Sequence, residues 1–214
     1  MSKALASIEE MIKNEIQEID KTVTTSNSME RIKAKNKAFI LPGQDPVQKP
    51  IEVVVVEFTN SHAYFDGPYN PNSITPPLCT AIGKNIDEMK PKSNCDEPQS
   101  ENCSSCQWNQ YETAYGGGKG KRCTQSVTLA VLPPTADGTE TPMLLSVPAA
   151  SITAWGNYVK ELAGKQRVPS VVVTEISFDP KVDYTRFKFK AIQDAKNAAA
   201  IMAKRPEVYT ALHS

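Results

Sequence analysis

The segment from Gly83 to Arg122 constrains the fold most, because it contains almost no aliphatic residues in a chain that is otherwise rich in short apolar runs. It consists mainly of Gly, Asn, Ser, Gln and Lys, and it carries three of the five cysteines of the 214-residue chain. Such a composition does not provide a hydrophobic core. If the segment is ordered, an interaction other than aliphatic packing must hold it.

Cysteine spacing offers one such interaction. Cys103 and Cys106 form a C-x2-C pair, whose tight turn brings two sulfurs within the roughly 2.3 Å bonding distance of one zinc ion. Cys123 follows a glycine-rich turn and supplies a third thiolate, whereas Cys79 and Cys95 are both available as the fourth. Because metal coordination can order a segment that lacks its own core, we predict a structural Zn²⁺ site here. The competing interpretation is a set of free thiols, with Cys79 buried as a small apolar residue.

The sequence provides little material for catalysis. A catalytic zinc usually has histidine or carboxylate ligands, and the chain has only His62 and His213. We expect His62 at a turn or on the surface. The C-x2-C pair lacks the strand-to-helix context of a redox motif, and the glycine-rich run at 116–120 lacks the spacing of a phosphate-binding loop. The expectation is a protein that is not an enzyme.

Periodicity on either side of the cysteine-rich segment predicts a mainly β fold with minor α structure. The predicted strands are 31–41, 51–58, 127–132, 143–147, 168–178 and 184–192. The first predicted helix is amphipathic and covers 3–20, and the third covers 195–204. The second has its apolar face between Ile152 and Leu162 and is terminated by Gly164. This order suits a small closed or partly open β-barrel. We divide the chain into an N-terminal arm (1–28), a barrel domain (29–192) with an insertion at about 79–123, and a C-terminal helix and tail (193–214).

Charge and hydropathy exclude several classes of partner. Lys plus Arg equal Asp plus Glu at 24 each, so any basic site must be a local patch. The longest apolar run is far short of the roughly 20 residues that span a bilayer, and no leader opens the chain. We therefore expect no membrane contact. The odd cysteine count suits a reducing compartment, so the expected location is cytoplasmic.

Aromatic and basic side chains alternate within the insertion. Trp108, Tyr111 and Tyr115 precede Lys119, Lys121 and Arg122. Single-stranded nucleic acid stacks its bases on aromatic rings, at about 1–3 kcal/mol per base, while Lys and Arg contact its phosphates. A second basic surface is predicted on two strands, and its residues are Lys33, Lys35, Lys37, Arg186, Lys188 and Lys190, next to Phe39, Phe187 and Phe189. The competing interpretation of this second surface is that each strand has its Phe side chains inward in the core and its Lys side chains outward in solvent.

Several of these motifs together resemble a group of phage-encoded single-stranded DNA-binding proteins. The residues that carry the resemblance, within roughly 35–192, are Tyr64-Phe65-Asp66, Pro76-Pro77-Leu78-Cys79, Cys103-x2-Cys106 with Asn109, Gly118-Lys119-Gly120-Lys121-x-Cys123, Leu129-Ala130-Val131, Val147-Pro148-x2-Ser151, Tyr158 and Val173-Thr174-Glu175-Ile176. The resemblance implies an OB-like five-stranded β-barrel that carries a zinc insertion. It also implies sequence-independent binding of single strands during replication or recombination in the host cytoplasm.

The resemblance also implies functional residues. The zinc ligands it implies are Cys79, Cys103, Cys106 and Cys123, with Cys95 as an extra thiol. The candidate DNA-binding residues are Lys33, Lys35, Lys37, Phe39, Tyr64, Trp108, Tyr111, Tyr115, Lys119, Lys121, Arg122 and Lys188. The expected partners are single-stranded DNA and replication or recombination proteins, and oligomeric state is left open. The alternative is a protein-interaction adaptor that docks the zinc segment and the N-terminal helix onto a polymerase or transcription protein.

Overall fold

The computed structural model describes residues 29–68, 70, 73 and 75–213, so the helix predicted at 3–20 lies outside the described residues. Within them the protein is mainly β, as the sequence predicts. The strands are β1 (Arg31–Lys35), β2 (Ala38–Ile40), β3 (Ile51–Tyr64), β4 (Cys79–Gly83), β5 (Thr124–Leu132), β6 (Met143–Pro148), β7 (Val172–Phe178) and β8 (Phe187–Asp194). The helices are α1 (Ile152–Gly164) and α2 (Ala198–His213). No helix in this part of the chain is both long and apolar enough to cross a membrane.

The eight strands form one mixed sheet in the order β2-β1-β6-β5-β3-β7-β8, with β4 paired to β3 outside this path. All the pairings are antiparallel except β1 with β6. The long strand β3 organises the sheet: β7 pairs with its first residues and β4 with its last, along the same edge. The cysteine-rich insertion leaves the sheet after β4 and returns at β5.

The strand predicted at 31–41 is a hairpin. Asn36 and Lys37 have φ values of 52° and 55°, and they form the turn between β1 and β2. Two consecutive residues with positive φ match the twist of a tight antiparallel hairpin, and asparagine tolerates this conformation well. Lys37 is therefore a turn residue. Of the three lysines predicted on this strand, Lys33 and Lys35 are the two that lie on the same strand face.

Hydrophobic cores lie on both faces of the sheet. On one face α1 packs Trp155, Tyr158 and Leu162 against the strands, and on the other α2 packs Ile201, Val208 and Leu212. This explains why β3 and β5 contain runs of consecutive buried residues rather than a strict alternation.

The sheet curls until its two ends approach each other. Phe39 of β2 contacts Phe178 of β7 and Phe187 of β8, with ring centroids 4.4 and 5.6 Å apart. The resulting shape is a half-barrel built from eight strands, whereas the resemblance implies a barrel of five.

Helix α2 is longer than the prediction of 195–204, because it continues through Pro206 to His213. A proline removes one backbone hydrogen bond inside a helix. Here the buried side chains on both sides of Pro206 hold the helix against the sheet. Arg205 also pairs with Glu57, which is 3% exposed and pairs with Lys84 as well, at distances of 3.1 and 3.0 Å.

We expect Tyr158→Phe to destabilise the fold by about 1–2 kcal/mol, measured by urea unfolding. The Tyr158 hydroxyl lies 2.6 Å from Thr174 Oγ1, and both groups are buried, so the substitution leaves the threonine hydroxyl without this partner. The double variant Tyr158→Phe, Thr174→Val serves as the control and should be less destabilised than the sum of the single variants. Additive effects would contradict the coupling.

Candidate nucleic-acid interface

The insertion packs on one face of the sheet, at the end farthest from β7. There His62 pairs with Ala81 and Gln125, and Tyr64 pairs with Cys79. Residues paired across neighbouring strands project from the same face. These side chains therefore form the platform that the insertion covers.

Stacking and hydrogen bonds hold the insertion on this platform. The Trp108 ring stacks on Tyr64 at 5.5 Å with an interplanar angle of 15°, and its Nε1–H donates to Gln99 Oε1 at 3.0 Å. The backbone N–H of Cys123 donates to Trp108 O at 2.8 Å. Ala81, Met89 and Cys103 form a small apolar cluster beneath. One ring and a few directed bonds thus replace the aliphatic core that the sequence lacks.

Asn109 connects the two ends of the insertion. Its side chain is buried, and its Nδ2 donates to Cys103 O at 2.8 Å. Its Oδ1 accepts from Lys121 Nζ at 3.2 Å and from Gln125 Nε2 at 3.4 Å. The asparagine therefore fixes the position of Lys121 relative to the C-x2-C turn.

We expect Asn109→Ala to destabilise the protein by about 1–3 kcal/mol, because it leaves the Cys103 carbonyl without this buried donor. Limited proteolysis should then cleave within 84–122 faster than in the unmodified chain, while urea unfolding measures the loss. Gln107→Ala is a matched control, because Gln107 is an exposed amide two positions away. Equal protease resistance of the two variants would contradict the role assigned to Asn109.

The prediction of a structural zinc site is wrong. The described residues contain no group of three or more His, Cys, Asp or Glu side chains that could hold a metal ion. One cavity of about 20 Å³ is lined by four of the cysteines, Cys79, Cys103, Cys106 and Cys123. The C-x2-C spacing was therefore not sufficient to predict a set of metal ligands. All five cysteines are free thiols, as the competing interpretation predicts, but Cys79 is only partly buried.

Burial determines the protonation of two of these thiols. Burial, with smaller contributions from neighbouring thiols, raises the pKa of Cys103 to about 11 and that of Cys123 to about 12. Both thiols are therefore protonated in the folded protein at neutral pH. Cys95 lies beside Cys79, and its Sγ accepts from the Thr80 N–H at 3.1 Å.

His62 is buried, at 3% exposure, and not at a turn or on the surface as expected. It alternates with Tyr64 on β3, and its Nε2 lies 3.0 Å from Gln125 Nε2. Burial, and secondarily the nearby Lys121 ammonium, lower the pKa of His62 below its ordinary 6.5. The imidazole is therefore neutral in the folded protein at neutral pH.

This burial predicts a pH-dependent stability. Between pH 6.5 and the lowered folded-state pKa, the unfolded chain binds a proton at His62 that the folded chain does not bind, so stability must fall as the pH drops through this window. We expect urea unfolding at pH 5, 6 and 7 to show a smaller pH dependence for His62→Gln than for the unmodified protein. Identical dependence in both proteins would contradict the assignment.

Five basic and aromatic residues of the insertion assemble into one surface, which we call the cation–aromatic patch: Trp108, Tyr111, Tyr115, Lys121 and Arg122. The Arg122 guanidinium lies over two rings, 4.5 Å from the Trp108 centroid and 4.4 Å from that of Tyr115. Lys121 Nζ lies 4.8 Å from the Tyr111 centroid. The structure thus brings together five of the twelve predicted DNA-binding residues, and Lys119 is exposed on the adjoining glycine-rich turn.

The rings of the patch differ in their accessibility. Tyr111 is 74% exposed and presents its ring to solvent. Trp108 is half-buried between Tyr64 and Arg122, and Tyr115 is held by a 2.7 Å hydrogen bond from its hydroxyl to Phe65 O. Tyr111 is therefore the ring best placed to stack on a base.

Two residues predicted to stack on bases are core residues instead. Phe39 is fully buried among Phe178 and Phe187, and Tyr64 is 5% exposed beneath Trp108. Neither ring offers a face to a ligand, because the curled sheet covers the first and the insertion covers the second.

The predicted second basic surface is separate from the patch. Lys33 and Lys35 are exposed on β1, which two strands separate from β3, or about 14 Å at the usual strand spacing. Lys188 is exposed on β8, beyond β7 on the other side of β3. These lysines alternate with buried Ile32 and Phe187, as expected for strands with apolar side chains inward and charges outward.

The structure also places residues at this surface that the sequence did not predict to bind DNA. A cavity of about 370 Å³ adjoins Arg122 and Tyr115, and its other walls include Phe65, Thr75 and Thr124. The sequence signals here were the Tyr64-Phe65-Asp66 motif and the proline-rich connection after β3. Neither predicts the contact of Phe65 with Tyr115, fifty positions farther along the chain.

Comparisons with protein-family models, with curated proteins and with solved structures found no match to this chain. The functional conclusion therefore depends on the residues and geometry of the site.

Proposed function

We propose that this protein binds single-stranded DNA without strong sequence preference and has no enzymatic activity. The observation that carries the proposal is the cation–aromatic patch, in which the exposed Tyr111 ring lies beside Lys121 and next to the Arg122 stack. A surface of this kind contains both kinds of group that bind single strands, namely aromatic rings that stack on bases and cations that contact phosphates.

The chemistry of the patch favours unpaired over paired bases. Stacking on tyrosine requires a free base face, which a duplex provides only at its ends. Lys119, Lys121 and Arg122 place cations within one short segment, where they can contact successive phosphates. Stacking and phosphate contact carry little sequence information, because every base has a π-face and every nucleotide a phosphate.

The fold is compatible with this activity. We interpret the curled sheet as an OB-like half-barrel, in which the insertion forms one wall of the binding groove. Together with the resemblance noted in the sequence, this supports a role in coating single strands during phage DNA replication or recombination.

Fluorescence anisotropy with labelled oligothymidylate tests the proposal. We expect a complex at low salt, weaker binding to a duplex of the same length, and an affinity that falls steeply as salt rises. Absence of any complex at low salt would remove the proposal. If the protein instead forms a stable complex with a replication or transcription protein, the adaptor function predicted as the alternative would take its place.

A further inference from the structure

The 370 Å³ cavity beside Arg122 has the size and lining of a ligand site. Its volume falls within the roughly 300–1,000 Å³ typical of small-molecule pockets. Phe65 and Tyr115 provide aromatic walls, and Thr75 and Thr124 provide hydroxyl groups. Lys121 and Arg122 add two cations.

The groups around this cavity are held in place. The Tyr115 hydroxyl donates to Phe65 O, which ties one aromatic wall to the other. The Arg122 backbone N–H donates to Thr113 Oγ1 at 3.0 Å, and its guanidinium is stacked on Trp108 and Tyr115. A site whose groups are fixed before binding loses less entropy when its ligand arrives.

The charge of the lining favours an anionic group on the occupant. Lys121 and Arg122 both line the cavity, and none of the described residues in its walls is acidic. Guanidinium groups pair well with phosphate oxygens, and an ammonium group attracts them as a point charge.

From this lining we infer that the cavity takes one unpaired nucleotide of the bound strand, with its base against Phe65 and Tyr115 and its phosphate near Arg122 and Lys121. This inference rests on the proposed single-strand binding and adds to it a defined nucleotide site. A base can enter such a cavity only when it is free of its partner strand, so the site adds to the preference for single strands.

Thr124→Trp tests the inference, because Thr124 is an exposed strand residue on the cavity wall and an indole there would fill it. Ser146→Trp is the matched control, since Ser146 is an exposed strand hydroxyl that does not line this cavity. Aromatic residues are well tolerated in strands, so both variants should fold. We expect Thr124→Trp to bind labelled oligothymidylate about tenfold more weakly than the unmodified protein, and Ser146→Trp to bind within twofold.

A second arm uses an oligomer of the same length whose bases have been removed. On this abasic oligomer we expect Thr124→Trp and the unmodified protein to bind equally, because no base remains to occupy the cavity. The inference is overturned if Thr124→Trp binds oligothymidylate normally, if both tryptophan variants lose affinity equally, or if the loss persists on the abasic oligomer. Those outcomes leave single-strand binding intact, whereas an unmodified protein that binds no oligothymidylate removes both proposals.

Discussion

Tyr111→Ala should weaken binding to oligothymidylate by about 1–3 kcal/mol, or about tenfold for each 1.4 kcal/mol, with little change in folding stability. The Tyr111 ring is 74% exposed, so its removal creates no cavity in the core. Its loss removes the most accessible stacking surface of the cation–aromatic patch. Anisotropy at a fixed low salt concentration measures the change, and urea unfolding verifies that the variant remains folded.

Tyr184→Ala is the matched control for this prediction. Tyr184 is also a strongly exposed tyrosine, at 56%, but it lies in the connection between β7 and β8. Its removal should leave the affinity unchanged within about twofold. If Tyr111→Ala and Tyr184→Ala bind alike, the patch is not where bases stack.

Trp108→Ala should have the largest effect on the insertion itself. Removal of a packed tryptophan costs about 3–5 kcal/mol, and we expect the lower end because Trp108 is only half-buried. The substitution removes the stack on Tyr64, the bond to Gln99 and one of the two rings beneath Arg122. Urea unfolding should show the loss of stability, and oligothymidylate binding should fall with it.

Trp108→Phe separates the stack from the hydrogen bond. Phenylalanine keeps an aromatic ring on Tyr64 and beneath Arg122 but cannot donate to Gln99, so we expect a loss of only about 1 kcal/mol. Wild-type stability in Trp108→Ala would show that the insertion is held by contacts other than this ring.

Much of the sheet could be predicted from the sequence, because strand periodicity is a local signal. The β-branched run at 51–58 lies within β3, and the prediction at 127–132 lies within β5. Helix α1 ends at Gly164 as predicted. Mainly β structure follows from these elements, and the structure confirms it.

Features that depend on contacts between distant segments could not be predicted in the same way. The alternation of Lys33, Lys35 and Lys37 predicted one continuous strand, but Asn36 and Lys37 form a turn. The same alternation is compatible with a strand or with a hairpin. Phe39 and Tyr64 looked accessible because their covering residues, Phe187 and Trp108, come far later in the chain.

The cysteine-rich segment shows the same limit for a functional site. Its composition correctly indicated that aliphatic packing could not hold it, and the C-x2-C spacing suggested zinc. The structure instead shows a stacked tryptophan and the buried amide of Asn109 in the stabilising role. Side-chain hydrogen bonds of this kind have no periodic signature in a sequence.

Photo-crosslinking tests the central claim most directly. An oligothymidylate in which one base is replaced by 5-iodouracil would be bound at low salt and irradiated, and the attached peptide identified by mass spectrometry. We predict attachment within residues 108–122, with Tyr111 as the main site and a strong reduction in Tyr111→Ala. Crosslinks confined to β1 or β8, or no crosslink from a protein that remains folded, would contradict the assignment of the cation–aromatic patch as the binding surface.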